Sequence, residues 1–460
     1  MKSIQNSLYI FLISLIFVSC EGLDITPEND ISVTDIFKQP QDAESALLGL
    51  YVTLQDQYYY GGYYILAADA LGGDAKTGGY NNTALDELGM SAVTPQNIIT
   101  EQIWSCVYKT ITSANYLIEG VDRIKDPSFL LRHKVIEGQA RALRAMAHFD
   151  CLRYFGEHWD TLSLNGIPIM DKIKPFSEAT PRHSVKDNYD FIISELELSL
   201  ILMDAKEIKT QYMTILGAKA LLARVYLYKK DYEKAAYYAT QVINSRQFKI
   251  LPKESYPSVF SRNQTSESIF ELAFSTENNS ALNTFTFYSN DATRGDVSFL
   301  AAESFIPFWK KRVGDVRADM MTFDVKMNDE SLLPDGRALK YLNKPNQGNS
   351  AYILRLSEMY LIRAESTVHK KGIEDINYLR ATRGLPKIST VFGISNIDFE
   401  EALDAERKAE LYFEGHRFFD LARWGQINTV LGVPDFRGCL PIPQREIDVT
   451  KNVLTQNKGY

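Results

Sequence analysis

Apolar residues recur at helical spacing along most of the chain, and two long stretches break the rhythm. Ala43, Ala46, Leu47, Leu50 and Leu54 place one apolar face on a helix over 41–57. The same spacing predicts helices over 98–125 and 130–157, where Ala140, Leu143, Ala147 and Cys151 form one stripe. A further helix fits 184–204, and others fit 351–369, 373–383 and 398–424. Residues 158–183 carry Pro168, Pro175 and Pro181 and read as a connector.

The segment 214–246 shows the plainest architecture. Ala218, Leu221, Leu222, Val225 and Tyr226 share one face. Lys230-Asp231-Tyr232-Glu233 then makes a turn into a second helix, with Ala235, Ala239 and Val242 inward. Small alanines allow close approach while the larger residues interlock. The pair resembles a tetratricopeptide unit, whose period is about 34 residues. A mainly α fold built on such pairs, with few short strands, is expected.

The first irregular stretch is 58–97. It opens with Tyr58-Tyr59-Tyr60-Gly61-Gly62-Tyr63-Tyr64 and continues through Gly72-Gly73-Asp74 and Gly78-Gly79-Tyr80-Asn81-Asn82. Repeated Gly-Gly with Asn and Asp signals turns. The second stretch, 247–350, is rich in Asn, Ser, Thr, Phe and Tyr and holds strand-like pieces such as Ile269–Phe274. Both read as loop-rich insertions on a helical scaffold, and long loops in a folded chain often carry function.

At the N-terminus, Lys2 precedes an apolar run from Leu8 to Val18, and Ser19-Cys20 follows. These are the parts of a secretory signal over 1–19. Cys20 resembles the lipobox cysteine of bacterial lipoproteins, which is acylated and becomes the mature N-terminus, although Phe17 stands where Leu, Val or Ile is usual. The alternative is an uncleaved signal anchor, but the run falls short of the roughly 20 apolar residues of a spanning helix. Residues 20–40, acidic and carrying Pro27, read as a lipidated tether, and 41–460 as one domain ending in a tail over 426–460.

Composition narrows the chemistry. A formal net charge of −8 opposes nucleic acid as a partner. Beyond Cys20, Cys106, Cys151 and Cys439 cannot all pair, so no disulfide framework is expected. No Cys-x-x-Cys occurs and the six His are scattered, so neither a metal nor another cofactor is expected. Glu406, Glu410 and Glu414 repeat at i, i+4 on the helix predicted over 398–424. A di-metal helix would use Glu-x-x-His, which is missing there. With Arg407, Arg417 and Arg423 nearby, the spacing favours a charge-paired helix at a packed joint.

The stretch from Glu406 to Gly425 closely resembles the C-terminal signature of the SusD/RagB family of outer-membrane nutrient-binding lipoproteins. Other blocks keep the family order: Leu23-Asp24 with Pro27, Ile353–Glu365, Ile376–Pro386, Leu440-Pro441-Ile442-Pro443 and Gln456–Tyr460. Gly384 stands one place early, and Lys458 replaces a common Pro. The resemblance implies a scaffold of four degenerate tetratricopeptide units bearing a loop-rich face. It also implies a non-enzymatic role: capture of glycans or other nutrients at the cell surface, lipid-anchored in the outer membrane, as the lid of a SusC-like TonB-dependent transporter.

Sugars present flat apolar faces ringed by hydroxyls, so a site needs aromatic faces beside Asp, Asn or Arg. The segments with both are 58–97 and 280–320. They supply Asp69, Asp74, Tyr80 and Asn81 from the first and Tyr288, Arg294 and Trp309 from the second. Each type also serves core packing or a solvated loop, and Phe305–Trp309 reads equally as a packed short helix. A tetratricopeptide scaffold binding peptide or protein partners is the competing function. A glycoside hydrolase would need two positioned carboxylates. Asp69 and Asp74 have no strand-end context for that role, and His-Glu-x-x-His, Gly-x-Ser-x-Gly and Walker motifs are absent.

Overall fold

The helix hairpin at 214–246 forms as its spacing predicts. Helix α7 (Ile215–Tyr228) buries Ala218, Leu221, Leu222 and Val225, and α8 (Tyr232–Asn244) returns Ala235, Ala239 and Val242 against it. Thr214 caps the first helix by accepting from the Gly217 amide, and Asp231 caps the second by accepting from Lys234. Lys230, at φ 63°, makes the left-handed turn between them.

The computed structural model describes residues 36–78, 82–175, 178–204, 208–275, 280–286, 298–323, 336–341, 351–389 and 395–460. Within them, α1 (Pro40–Leu54), α2 (Tyr63–Leu71), α3 (Thr83–Gly89), α4 (Ile98–Val121), α5 (Leu130–Phe155) and α6 (Val185–Leu202) precede the hairpin. After it come the short α9 (Leu282–Thr286) and α10 (Ile306–Lys310), then α11 (Leu356–Glu365), α12 (His369–Thr382), α13 (Asn396–Leu411) and α14 (Arg417–Arg423). Successive helices stack: α4 on α5, α5 on α6, α6 on α7, α8 on α11, α11 on α12, and α12 on α13. This is a scaffold of helix pairs. Among the described residues no helix is long and apolar enough to cross a membrane. Cys20 lies outside the described residues. Cys106, Cys151 and Cys439 are free and buried, and burial pushes the thiols of Cys106 and Cys439 up to about 12.

Among the described residues four short strands form two antiparallel pairs, β1 (Ala75–Thr77) with β3 (Phe299–Ala301) and β2 (Ser268–Leu272) with β4 (Ala351–Arg355). The first pair puts Ala75 opposite Ala301 and ties the two irregular stretches of sequence together. The second corrects the start of the predicted 351–369 helix: residues 351–355 are extended, and the helix begins at Leu356. Helix α2 is a further departure, because 63–71 lies inside a stretch read as loop. Eight of its nine residues, from Tyr64 to Leu71, are buried, so it has no polar face to betray a helical period.

The predicted helix over 398–424 breaks in two. Helix α13 ends at Leu411, and α14 starts at Arg417. Between them Phe413 (φ 57°) and Gly415 (φ 78°) adopt left-handed backbone. Glu414 therefore leaves the helical face of Glu406 and Glu410, yet all three enter one buried ion network. Glu410 accepts from Arg355 at 2.6 Å, Arg317 at 2.8 Å and Arg383 at 2.8 Å. Glu406 pairs with Arg317 at 2.7 Å, and Glu414 with Lys340 and Arg355 at 2.6 Å each. The neutralising cations come from distant segments. Of the three nearby arginines, Arg407 and Arg423 instead hold Asp420.

Candidate ligand-binding face

The tyrosine-rich run splits by direction. Tyr59, Tyr60 and Tyr64 point inward and are buried. The Tyr59 and Tyr60 hydroxyls donate to Asp150 Oδ2 at 2.7 and 2.8 Å, and Arg153 bonds both Asp150 Oδ1 and the Tyr64 hydroxyl. Tyr58 and Tyr63 are half-buried and stack on each other, with ring centroids 5.2 Å apart and planes 16° apart. Burial and the neighbouring Tyr58 push the Tyr63 phenol pKa up, so it stays a neutral hydroxyl.

Phe285 of α9 extends this cluster. Its ring lies 4.5 Å from Tyr63 and 6.3 Å from Phe299 on β3. The Ala281 amide donates to the Gly61 carbonyl at 2.8 Å and fixes the approach. Gly62 is required for it: a Cβ there would stand 2.7 Å from Phe285 Cε2. Two segments more than 200 residues apart, the turn into α2 and the short α9, thus build one half-buried aromatic surface. Such a surface offers flat apolar faces beside phenolic hydroxyls, suited to a ligand with both kinds of surface.

The candidate residues fall in two groups. Tyr80, Asn81, Tyr288 and Arg294 lie outside the described residues. Asp69, Asp74 and Trp309 are buried, and the structure corrects the expectation that they face a ligand. Asp69 accepts from the Phe413 and Gly415 amides at 3.1 and 2.8 Å, which fixes the turn between α13 and α14. Burial raises its pKa well above the usual range against the pull of those amides. Asp74 pairs with Lys408 at 2.7 Å, and burial raises its pKa against Lys408 and Arg417. Trp309 packs on Phe305 and Tyr412, at 5.6 and 4.9 Å, as a short packed helix would place it. The residues that sequence reasoning missed are Tyr58, Tyr63 and Phe285. The Tyr-Gly-Gly-Tyr cluster was the available signal, but its pattern does not say which rings point out.

Comparison with known proteins bears on what this scaffold is. The SusD-family model matches residues 326–437, and a second model, described as starch-binding associating with outer membrane, matches 23–227. The SusD-like protein P38 of Formosa agariphila is 25% identical, with 94% of each chain covered. A SusD superfamily structure from Bacteroides thetaiotaomicron superposes with a TM-score of 0.80 at 25% identity, covering 91% of this chain and 99% of that one. The chain belongs to the SusD/RagB family. A laminarin-binding SusD-like protein shares the fold, with a TM-score of 0.77 at 21% identity over 92% of this chain and all of that one. The SusD-family match at 326–437 contains Arg355, Arg383, Glu406, Glu410 and Glu414, so this part of the SusD/RagB signature is a buried ion network holding two helices and a strand together.

Proposed function

We propose that the chain captures a glycan at the outer-membrane surface and delivers it to a SusC-like TonB-dependent transporter, acting as that transporter's lid. The observation that carries the reading is the half-buried aromatic cluster of Tyr58, Tyr63 and Phe285, where the two loop segments meet. Family membership supports it, as does the laminarin-binding protein of the same fold. Tyr80, Asn81, Tyr288 and Arg294, from the same two stretches of sequence, are the further ligand contacts of this reading, with hydroxyl, amide and guanidinium groups to offer a sugar. A lipid on Cys20 and the tether that follows it hold the body at the membrane while it swings; the tether ends before Phe37, which is buried in the core. The chain binds without catalysis: Asp69 and Asp74, the carboxylates weighed for hydrolysis, are held by protein donors inside the fold.

The test has two arms. Calorimetry against starch, laminarin and a panel of other polysaccharides should find at least one saturable ligand that is recovered uncleaved. Affinity-tagged chain expressed in its native cells should co-purify with a TonB-class β-barrel. Binding to none of the panel, with no barrel retained, would sink the reading.

A further inference from the structure

A cleft of 390 Å³ lies among the N-termini of α8 and α12, the C-terminus of α11, helix α13 and the end of α14. None of the aromatic-face residues lines it. Its volume falls within the roughly 300–1,000 Å³ of small-molecule sites.

Two parts of its wall are aromatic and held in place. The Trp424 indole N–H donates to Glu365 Oε1 at 2.8 Å. Arg423 clamps the same carboxylate with both terminal nitrogens and lies 4.6 Å from the Trp424 ring centroid. The indole therefore cannot rotate without breaking its partly buried hydrogen bond to Glu365. His369 stacks on Phe399 at 4.4 Å with planes 18° apart. At the rim, Tyr232, Glu400 and Gln426 are exposed.

The polar groups select among ligands. Among the described residues no lysine or arginine lines the cleft. Two of its carboxylates already have guanidinium partners, Glu365 with Arg423 and Asp404 with Arg417. A carboxylate neutralised in this way still accepts hydrogen bonds but adds little net field. The Gln426 amide both donates and accepts. This set accepts hydroxyl protons beside flat apolar rings and offers an anion no lysine or arginine as counter-charge.

We propose that this cleft is a second saccharide site, separate from the aromatic face, that takes one or two neutral pyranose rings and rejects uronate or sulfated ones. The ring's C–H face lies on Trp424. Its hydroxyls donate to Glu365 and Asp404, with Tyr232 and Gln426 closing the rim.

The test follows the Trp424 indole N–H signal of the full chain by NMR, assigned with Trp424→Phe. Glucose, galactose, mannose and their disaccharides are titrated, with glucuronate as the charged comparison. At least one neutral sugar should shift the signal saturably, and glucuronate should bind at least tenfold more weakly. Tyr232→Ala and Gln426→Ala, both at exposed rim positions, should each weaken binding about fivefold or more. Tyr63→Ala should leave this titration unchanged. The proposal is overturned if no neutral sugar shifts the signal saturably, if glucuronate binds equally well, or if both rim variants bind like the wild type. Failure of the aromatic face would instead show as Tyr63→Ala keeping full polysaccharide affinity, with the Trp424 shift intact.

Discussion

Glu410→Gln tests whether the family's C-terminal carboxylates are structural. Glu410 is buried and receives hydrogen bonds from Arg355 (2.6 Å), Arg383 (2.8 and 3.2 Å) and Arg317 (2.8 Å). Glutamine keeps the shape but replaces one acceptor oxygen with an NH₂ that faces guanidinium donors. About two charge-assisted bonds are lost, each worth ~1.5–3 kcal/mol. Removing one partner of a buried ion pair costs ~3–5 kcal/mol, which agrees. An unfolding entropy of about 2.1 cal/mol/K per residue gives roughly 1 kcal/mol/K for a chain of 460 residues, so the melting temperature should fall by about 3–5 °C. Asp190→Asn, at a solvent-exposed pair with Lys186, is the comparison and should cost under ~1 kcal/mol. Acid titration gives a second reading. Burial pushes the Glu410 carboxyl up, but Arg383, Arg355 and Arg317 outweigh it and hold the group well below its usual range. Its stabilisation is therefore complete above the unfolded value of about 4.3 and is lost as pH falls through the lower folded value. Glu410→Gln should flatten that acid limb. Scanning calorimetry that found the Gln variant no less stable than Asp190→Asn, with an unchanged acid limb, would refute the reasoning.

Gly62→Ala drives a Cβ to within 2.7 Å of the Phe285 ring and should cost about 1–3 kcal/mol while weakening polysaccharide binding; wild-type stability and affinity together would count against the close approach. Asp150→Ala strips the acceptor from the Tyr59 and Tyr60 hydroxyls and from Arg153, so denaturant unfolding should show a loss of ~3–5 kcal/mol. Cys106, Cys151 and Cys439 are buried with raised thiol pKa values, so a disulfide reagent at neutral pH should react with them only after unfolding; rapid reaction in the native protein would contradict their placement.

Much of the scaffold was legible because its helices are amphipathic and its partners local. The α7–α8 hairpin needed only the spacing of Ala218 to Val242 and the turn at Lys230. What escaped depended on contacts far along the chain. Helix α2 is buried almost all round, so periodicity had no polar face to find. The break after Leu411 depends on Asp69, some 340 residues earlier, receiving the Phe413 and Gly415 amides. The strand at 351–355 exists through its ladder with 268–272. The three glutamates were legible as a paired charge cluster, but Arg317, Arg355 and Arg383 come from other elements. Both loop segments of the candidate face were visible in composition. Which tyrosines look outward was not, because Asp150, about 90 residues away, draws Tyr59 and Tyr60 inward.

The most direct test of the account is the affinity of the Tyr58→Ala/Tyr63→Ala double variant for whichever polysaccharide the wild type binds. Each ring contributes about 0.5–1.5 kcal/mol of stacking, so together they are worth roughly 1–3 kcal/mol. That corresponds to an affinity loss of about 5- to 150-fold. Calorimetry should find that loss in a variant whose circular dichroism matches the wild type. Unchanged affinity in a folded double variant would place the ligand elsewhere and contradict the central claim.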